Sequence, residues 1–368
     1  MKRRELNYRL FEKNRIKFQD KILENELYIV NSKRNKNSFD LNFFYLCGIE
    51  EENSILLISK TSSVLFIEKP SREKEIWEGK MMDKEEARDI SGIKNIEFLE
   101  DYEKILRSLE FKSIIPQEDV KFIEILTSLR IIKEKEELDS MIKASRITLN
   151  CLEEINKEIA PGIWEYEIEA IMDYEFKRNK ACQHSFPPII ASGENALYLH
   201  YQDNNSQLKD KETILLDFGA RKDLYTSDYS FTLPINGEFT PRQLEAYNKV
   251  ENIQKEVIKQ MVVGNTINNL NIFTDQLIIN ALLELGLITK KELEINPLAY
   301  KKYYPHSVSH FMGLEAHDVG SREEELKNNM VLSCEPGIYI PEEKLGIRLE
   351  TNIIIQNQTP INIKDIIK

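Results

Sequence analysis

The sequence predicts a two-domain protein of the α/β (α+β) class, with a smaller domain over residues 1–117 and a larger one over residues 118–368. Three observations support this. The chain has 368 residues, more than one ordinary hydrophobic core holds. Near residue 118 short apolar runs give way to long helical periodicity. The larger part then runs helices, strands, helices, strands, an order that predicts two similar halves.

The N-terminal domain is predicted from short apolar runs and two amphipathic stretches. FFYLCGI (43–49), SILLISK (54–60) and SVLFIEK (63–69) are typical of strands. DKEEARDI and LEDYEKILRSL have the apolar spacing of helices. All five histidines of the chain lie outside this domain. We therefore expect it to shape access to a site rather than to supply the chemistry.

The larger domain is predicted to hold two helical blocks, each followed by strands. In the first block, a helical stretch runs from residue 118, with a break near Lys133–Lys135, and stops at the APG of residues 160–162. A further helix follows over WEYEIEAIMDYEFKRNK. The second block begins at Thr240, a predicted N-cap, with Pro241 in the first helical position, and includes NIFTDQLIINALLELGL. The predicted strands are FPPIIA, LYLHY, TILLDFGA, LYTSDYSFTLPI, HSVSHFMGL, MVLSCEPGIYI and GIRLETNIII.

Composition excludes several classes of partner. The net charge is −12 and the pI about 5.2, which argues against binding to nucleic acid or to an anionic membrane. No run approaches the ~20 apolar residues of a membrane helix, and the basic N-terminus lacks the apolar core of a secretory signal. The cysteines are scattered, without C-x-x-C, which favours a reducing cytoplasm over a disulfide framework. They are Cys47, Cys151, Cys182 and Cys334.

Four acidic residues lie inside predicted strands, where acids are rare and an inward carboxylate is costly unless it is paired. They are Asp217, Asp228, Glu335 and Glu350. The midpoint of the first pair falls between Lys222 and Asp223, so a hairpin loop centred there makes the two acids direct cross-strand partners. The midpoint of the second pair falls inside the polar turn PEEK. Two hairpins would then each present opposed carboxylates, which repel unless a cation lies between them.

Three histidines lie in HSVSHFMGLEAHDVG, which we interpret as a metal site, an acid–base site or a chance cluster in a core strand. Four carboxylates balance two divalent cations, and oxygen ligands with one imidazole suit Mn²⁺, Fe²⁺, Co²⁺ or Zn²⁺. Two such metals ~3.5 Å apart can share a bridging water. The alternation of SVSHF predicts a strand, with His306 and His310 on one face. His317 follows at a turn, and at least one of the three is expected to be structural.

In this order, the motifs LLDFGARKDLYTSDYSFTLPINGEFT, HSVSHFMGLEAHDVG, LSCEPGIYI and GIRLETNIII resemble those of the pita-bread metallopeptidases, most of all the aminopeptidase P (Xaa-Pro aminopeptidase) group, with prolidase similar. IIASGENALYLHY also matches. FFYLCGIEEENSILLI and EIWEGKMMDKEEARDISGI resemble the creatinase-like N-terminal domain of the same proteins. The resemblance covers nearly the whole chain and implies a creatinase-like domain followed by a pita-bread catalytic domain, whose helix-strand halves are related by a pseudo-twofold axis.

The resemblance implies a dinuclear site, usually of Mn²⁺ and sometimes of Co²⁺ or Zn²⁺. The implied metal ligands are Asp217, Asp228, His310, Glu335 and Glu350. Glu335 is also our choice for the proton shuttle. His200 and His317 are expected to hydrogen-bond the substrate and the oxyanion, Arg348 to orient a carboxylate of the substrate, and His306 to line the proline end of the pocket. His184 matches no family position and is expected to be structural.

Two departures from the family pattern stand out. The family usually has Asp-(Ile/Leu)-Thr-Arg-Thr after the second ligand, whereas this chain has DYSFT, with Phe231 in place of arginine. Ser230 and Thr232 are expected to keep hydroxyl contacts near the metals. Some members also carry an aspartate where this chain has Asn42, and Asp40 lies two residues away.

The resulting prediction is a cytoplasmic, metal-dependent aminopeptidase that releases the N-terminal residue from peptides with proline in second position, by attack of a metal-bridging hydroxide. The resemblance also implies a homodimer or homotetramer. The alternatives are a prolidase, which cuts only Xaa-Pro dipeptides, and a metal-free relative that acts as a binding module or as a creatinase. Methionine aminopeptidase shares the ligands but lacks the N-terminal domain.

Overall fold

The computed structural model describes residues 5–35, 38–181 and 183–367, and the chain divides into two compact units. The first unit spans Glu5–Arg130 and the second begins at Ile131. The division therefore follows Arg130 rather than residue 117, because the helix after residue 117 belongs to the core of the first unit. Its Phe122 ring lies 5.6 Å from that of Phe18. Cys182 of the predicted reduced cysteines lies outside the described residues.

Twelve α-helices are present in the described part of the chain: α1 (Tyr8–Lys21), α2 (Leu41–Cys47), α3 (Arg72–Glu78), α4 (Lys84–Ser91), α5 (Tyr102–Ser108), α6 (Val120–Arg130), α7 (Lys135–Glu158), α8 (Glu165–Arg178), α9 (Pro241–Gln260), α10 (Ile267–Glu284), α11 (Lys290–Ile295) and α12 (Ile363–Ile367). Short 3₁₀ turns cover Leu99–Asp101, Gly193–Leu197, Ala299–Lys302 and Pro341–Glu343.

The strands of the same residues are β1 (Glu26–Asn31), β2 (Lys33–Asn35), β3 (Ser38–Phe39), β4 (Ile55–Ser59), β5 (Ser63–Ile67), β6 (Asn95–Phe98), β7 (Ser113–Pro116), β8 (Gln183–His184), β9 (Ile189–Ser192), β10 (Thr213–Phe218), β11 (Ala220–Lys222), β12 (Tyr225–Thr226), β13 (Tyr229–Pro234), β14 (Val331–Cys334), β15 (Gly337–Ile340), β16 (Leu345–Arg348), β17 (Thr351–Ile354) and β18 (Ile361–Asn362).

The first unit is built on a mixed five-stranded sheet with the order β6-β5-β4-β1-β7. The predicted strands at β4 and β5 are confirmed, as are the helices at α4 and α5. The predicted strand FFYLCGI is wrong, because this run forms α2. The Asp40 carboxylate accepts from the backbone N–H of Phe43 (2.8 Å) and caps the helix, and Gly48 ends it in the left-handed conformation. A buried apolar run of seven residues does not distinguish helix from strand.

The second unit contains two successive arrangements of a helical pair and a hairpin. The helices α7 and α8 pack on β10 and β13 through an apolar cluster that includes Ile155, Met172 and Leu216. The helices α9 and α10 pack on β14–β17 through a second cluster that includes Val250 and Ile278. The predicted order of elements is confirmed, and so are the break before α7 and the N-cap of α9, where Thr240 and Gln243 form a capping box.

The first acidic hairpin has a different register from the predicted one. Strands β10 and β13 pair Asp217 with Ser230. The turn is Asp223–Leu224, and both residues have positive φ, as in a type I′ turn. Asp228 therefore falls opposite Gly219, two residues away from Asp217. The predicted direct pairing of the two aspartates is wrong, because no glycine or asparagine in the sequence marks this turn. The two side chains still share one face of the hairpin.

The second acidic hairpin is confirmed with the predicted register. On either side of the acids the partners are Cys334 with Thr351 and Gly337 with Arg348. Glu335 and Glu350 consequently lie opposite each other between these pairs. The turn is the predicted PEEK, where Pro341–Glu343 form a 3₁₀ turn and Lys344 adopts positive φ.

Two predicted strands do not form. LYLHY begins at the last residue of the 3₁₀ turn Gly193–Leu197 and continues as a loop. HSVSHFMGL lies beside β14 as extended chain, joined to it by a bridge between Phe311 and Leu332 and by a backbone hydrogen bond from Ser333 to His310 (3.0 Å). Loops with one buried face share the alternation of strands, so the pattern alone misleads. Among the described residues, no helix combines the length and the apolar character that crossing a membrane requires.

Gly219 allows the first hairpin to close, and its replacement tests this part of the fold. A Cβ at Gly219 would lie 1.8 Å from the carbonyl oxygen of Ser227, so the backbone itself would have to move. We expect Gly219→Ala to lower the free energy of unfolding by about 3 kcal/mol or more, measured by urea unfolding. The control Gly237→Ala has open space around it and a φ of +87°, and should cost about 1 kcal/mol. Equal losses would contradict this account.

Candidate metal centre

The five predicted metal ligands line one cavity of about 680 Å³ in the second unit; they are Asp217, Asp228, His310, Glu335 and Glu350. The two acidic hairpins meet there because Ser230 joins them. Its carbonyl oxygen accepts from the backbone N–H of Glu350 (2.9 Å), and its hydroxyl donates to Glu350 Oε2 (3.0 Å). Asn352 reinforces the junction, since its Oδ1 accepts from the backbone N–H of Asp228 (3.1 Å). The carboxylates therefore all line the same cavity.

His310 lies close to three of the four carboxylates. Its Nε2 is 3.4 Å from Glu335 Oε1 and 3.7 Å from both Asp228 Oδ2 and Glu350 Oε1. Ligand atoms of Asp228, His310 and Glu350 all lie within 4.8 Å of one another. The backbone holds His310 in place, because its N–H donates to the hydroxyl of Ser333 (3.0 Å) beside Glu335. One imidazole and several carboxylates thus face a common volume.

Arg348 connects the carboxylates to the wall of the cavity. Its Nη2 donates to Asp217 Oδ2 (2.5 Å), its Nε to the Ser230 hydroxyl (2.9 Å), and its Nη1 to the Tyr339 hydroxyl (3.0 Å). The same hydroxyl lies 2.9 Å from His306 Nε2. All three nitrogens of the guanidinium are therefore bonded to protein oxygen atoms. This geometry favours a role for Arg348 in holding Asp217 and Tyr339 rather than in contacting a substrate carboxylate.

The carboxylates perturb one another strongly. Burial raises the pKa of Glu335 to about 8, and the charge of Glu350 adds to the effect. Burial and the neighbouring acids raise the pKa of Asp228 well above its ordinary value. Burial opposes the charged form of His310, but the nearby carboxylates of Glu350 and Glu335 outweigh it and raise its pKa to about 9. Burial lowers the pKa of His306 to about 4, so this imidazole is neutral.

The donor set fits divalent metal ions. Three carboxylate oxygens are buried without a hydrogen-bond donor among the described residues: Asp217 Oδ1, Asp228 Oδ1 and Glu350 Oε1. A buried carboxylate oxygen without a partner is costly, and a cation placed among these atoms would remove the cost. Hard oxygen donors with a single imidazole suit Mn²⁺, Co²⁺ or Zn²⁺. We therefore retain these five residues as the metal ligands that we predict.

The remaining predicted site histidines have different surroundings. His200 and His317 are exposed on the wall of the cavity, and the ring of His317 lies 4.2 Å from that of His310 in an edge-on contact. His306 also lines the cavity, where its ring contacts Tyr304 and Tyr339. Their predicted contacts with substrate stay predictions. His184 lies at 2.8 Å from Asp173 Oδ1 and packs on Phe176, which agrees with a structural role.

The departure at Phe231 does not enter the site. Phe231 lies on the opposite face of β13 from Ser230 and Thr232, and packs against Phe218 and Tyr229 in the apolar cluster behind the hairpin. Thr232 donates to the carbonyl oxygen of Arg348 (3.1 Å). The two hydroxyl residues thus keep the contacts expected of them, and the phenylalanine fills the core.

The departure in the N-terminal unit leaves both residues with structural contacts. Asn42 Oδ1 accepts from Arg130 Nη1 (2.8 Å). Asp40 caps α2 and is buried. Neither contact supports recognition of a substrate amino group by these two residues.

Sequence reasoning missed Tyr339 and Ser333. Tyr339 joins His306 to Arg348, and Ser333 supports His310 and lies 3.4 Å from Glu335 Oε1. Both flank Glu335 at even spacing in the predicted strand LSCEPGIYI, so they share its face. A tyrosine on that face needs a hydrogen-bond partner for its hydroxyl. This requirement could have identified Tyr339 from the sequence as a residue of the site.

Comparison with known families matches both units of the chain. The profile of metallopeptidase family M24 matches residues 139–357, and that of the aminopeptidase P N-terminal domain matches residues 11–114.

Individual proteins agree with the family profiles. A Xaa-Pro aminopeptidase of Haemophilus influenzae is 31% identical over 355 residues, covering 86% of this chain and 82% of the relative. A Bacillus anthracis structure described as an aminopeptidase P has a TM-score of 0.90 at 31% identity, over 99% of this chain and 96% of the other. Aminopeptidase P of Escherichia coli has a TM-score of 0.89 at 24% identity, over 99% and 96%. The fold class predicted from sequence is thereby confirmed.

The raised pKa values predict that metal binding releases protons. Glu335 and His310, with pKa values of about 8 and 9, hold protons at pH 7 in the absence of a cation. A metal ion requires both groups in their deprotonated forms, so its affinity should rise as the pH increases towards 9. Calorimetric titration with Mn²⁺ at pH 7, in two buffers of different ionisation enthalpy, measures the number of protons released.

In the same titration, Glu335→Gln should release about one proton fewer, because an amide has no proton to lose. The control Glu342→Gln changes an exposed acid on the turn of the same hairpin and should match the unmodified protein. Binding enthalpies that do not depend on the buffer would show that the carboxylates are ionised before the metal arrives.

Proposed function

This chain belongs to metallopeptidase family M24, in its Xaa-Pro aminopeptidase group, and we propose that it releases the N-terminal residue from peptides with proline in second position. The observation that supports this activity most directly is the convergence of four carboxylates and one imidazole on a single cavity, with three oxygens that lack donors. The alternative of a metal-free relative is disfavoured, because such proteins lose metal ligands and this chain retains all five residues.

The bond before proline is a tertiary amide without an N–H group, so its hydrolysis needs a strong nucleophile and a proton for the leaving nitrogen. Divalent ions held by the five ligands would acidify water and polarise the carbonyl oxygen of the substrate. Glu335 is suited to move the proton. Its carboxylate lies beside His310, 3.4 Å from the ring Nε2, and its side chain lines the cavity.

The walls of the cavity supply donors for the substrate. His317 lies against His310, so a hydrogen bond from its ring would reach the oxygen of the scissile carbonyl group. His200 approaches from another loop and would hold the substrate backbone. His306, neutral and packed on two tyrosines, gives an apolar ring edge that suits a proline side chain. Arg348 acts through Asp217 and Tyr339, whose orientations it fixes.

Three finer features belong to the same proposal. The metal is Mn²⁺, with Co²⁺ or Zn²⁺ as functional substitutes, because oxygen donors with one imidazole suit all three ions. The protein acts in the cytoplasm, in keeping with scattered cysteines, of which Cys47, Cys151 and Cys334 form no disulfide in the described residues. It assembles as a homodimer or homotetramer, as the resemblance to the family implies.

A pair of substrates separates the proposed activity from prolidase. We expect the Mn²⁺-loaded protein to remove Xaa from the tripeptide Xaa-Pro-Yaa, because the chain belongs to the Xaa-Pro aminopeptidase group. Release of the free amino acid is followed by chromatography, with and without a chelator. Hydrolysis confined to the dipeptide Xaa-Pro would establish a prolidase instead. Absence of both activities, with no bound metal by elemental analysis, would favour a binding module.

Substitution of the proton shuttle should lower turnover more than binding. We expect Glu335→Gln to reduce kcat for Xaa-Pro-Yaa by roughly 10²- to 10⁴-fold, since the amide neither accepts a proton nor ligates a metal as a carboxylate does. The control Glu342→Gln should keep full activity, because this acid is exposed and pairs with Lys302. Activity retained in Glu335→Gln at saturating Mn²⁺ would assign the proton transfer to another group.

A further inference from the structure

A buried carboxylate outside the metal centre has an unusual number of donors. Glu165, the first residue of α8, is completely buried and is neither a predicted ligand nor part of the cavity wall. It accepts five hydrogen bonds. Its Oε1 accepts from the Ser192 N–H (2.7 Å), the Ser192 hydroxyl (2.7 Å) and Asn195 Nδ2 (3.0 Å), and its Oε2 from the Tyr201 hydroxyl (2.8 Å) and the Ser206 N–H (2.9 Å).

The five donors bracket one loop, residues 192–206. Ser192 is the last residue of β9 and begins the loop, and Ser206 ends it. The backbone of Glu165 adds a second contact to the exit, because its N–H donates to the carbonyl oxygen of Ser206 (3.0 Å). Asn195 Nδ2 also donates to the Ser206 hydroxyl (2.9 Å), joining the two ends directly. One carboxylate therefore closes the loop at its entry, in its middle and at its exit.

This loop supplies part of the wall of the metal cavity. Leu199, His200 and Gln202 line it. His200 directly precedes Tyr201, whose hydroxyl is bound to Glu165. The His200 side chain is exposed to the cavity, so the course of the loop backbone sets its position. LYLHY does not form the strand that would otherwise fix it. Asn204 also anchors the loop, through hydrogen bonds to Ile190, Pro188 and Glu169, but the Glu165 contact to Tyr201 acts on the residue next to His200.

We infer that Glu165 is the positioning residue for His200, and that its carboxylate holds the loop 192–206 in the shape that presents this histidine to the substrate. The inference rests on the proposed aminopeptidase function for its kinetic part. Its structural part concerns the loop alone and stands independently of the reaction.

The chemistry of the five contacts requires a carboxylate. All five partners donate, and an ionised carboxylate has two oxygens that only accept. In Glu165→Gln the amide oxygen can serve one group of donors, but the NH₂ group then faces the N–H of Ser206, donor against donor. The Tyr201 hydroxyl can rotate to accept, whereas the backbone N–H cannot. The variant therefore keeps the volume of the side chain and the backbone bond to Ser206, but loses the side-chain bond that holds the exit of the loop.

A double-mutant cycle on kcat/KM for Xaa-Pro-Yaa tests the kinetic part. We expect Glu165→Gln to lower kcat/KM by roughly 10- to 100-fold, as a displaced catalytic group does. In the His200→Ala background the same change should have less than about a threefold effect, because the group it positions is already absent. Losses that multiply in the double variant would mean that Glu165 acts by some other route, and would overturn the inference.

Amide hydrogen exchange followed by mass spectrometry tests the structural part without any turnover. Glu165→Gln should speed exchange in residues 193–206 about tenfold or more and leave the peptides of α9 and α10 unchanged. The matched control is Glu175→Gln, a buried acid on the same helix that bonds only Arg178 and Asn179 among the described residues, and it should not change the loop. Unchanged exchange in the loop of Glu165→Gln would overturn the inference.

A milder variant covers the case in which Glu165→Gln does not fold. Tyr201→Phe removes one donor beside His200 and should lower kcat/KM about three- to tenfold, with no further loss in the His200→Ala background. An additive loss would contradict the proposal. If the unmodified protein hydrolyses no Xaa-Pro peptide, the proposed function fails, while hydrogen exchange still decides whether Glu165 holds the loop.

Discussion

The constraint on which the second unit depends is the mutual repulsion of four carboxylates that point into one cavity. Two come from each hairpin, and their separation is fixed by the contact of Ser230 with Glu350. Arg348 offsets part of the repulsion by holding Asp217, and a protonated His310 offsets more. These two cations do not balance four acids. Burial and the neighbouring carboxylates together raise the pKa values of Asp228 and Glu335. The charge of the cluster is balanced only by further cations, and bound metal ions would provide them in a metallopeptidase.

The packing explains how such an unfavourable cluster is maintained. Each hairpin is backed by two long helices through a continuous apolar cluster, so the strands cannot separate to relieve the repulsion without exposing that core. Phe231 shows how successive side chains of β13 face opposite sides of the strand. Its ring adds to the apolar cluster, while its neighbours Ser230 and Thr232 face the other hairpin. A residue that departs from the family pattern is tolerated there because strand alternation directs it away from the metal centre.

The parts of the site that were predicted correctly from sequence are those where the residue pattern marks the position of the turn that the backbone makes. The register of Glu335 and Glu350 followed from a polar turn at their midpoint, and the structure has that turn. The register of the aspartates was missed by two residues, because Asp223–Leu224 adopts positive φ without the glycine or asparagine that usually marks such a turn.

FFYLCGI was mistaken for a strand because local contacts, and not apolar periodicity, decide its structure. Its helix is decided by the cap at Asp40, a contact that apolar periodicity does not report. The loop before Tyr201 was likewise missed because its shape depends on Glu165, a residue distant in sequence.

Burial alone does not distinguish a structural carboxylate from a ligand; the supply of donors does. Glu165 and Glu350 are both buried acids of the second unit. Both carboxylate oxygens of Glu165 accept from N–H or O–H groups of the protein, so this acid needs no cation and serves to fix a loop. Glu350 receives the Ser230 hydroxyl on one oxygen and has no donor on the other, and Asp217 and Asp228 each retain such an oxygen as well. Three buried oxygens without donors, on residues that line one cavity, would be a defect in a purely structural cluster. In this fold these oxygens are available as metal ligands, and a bound cation would balance their negative charge.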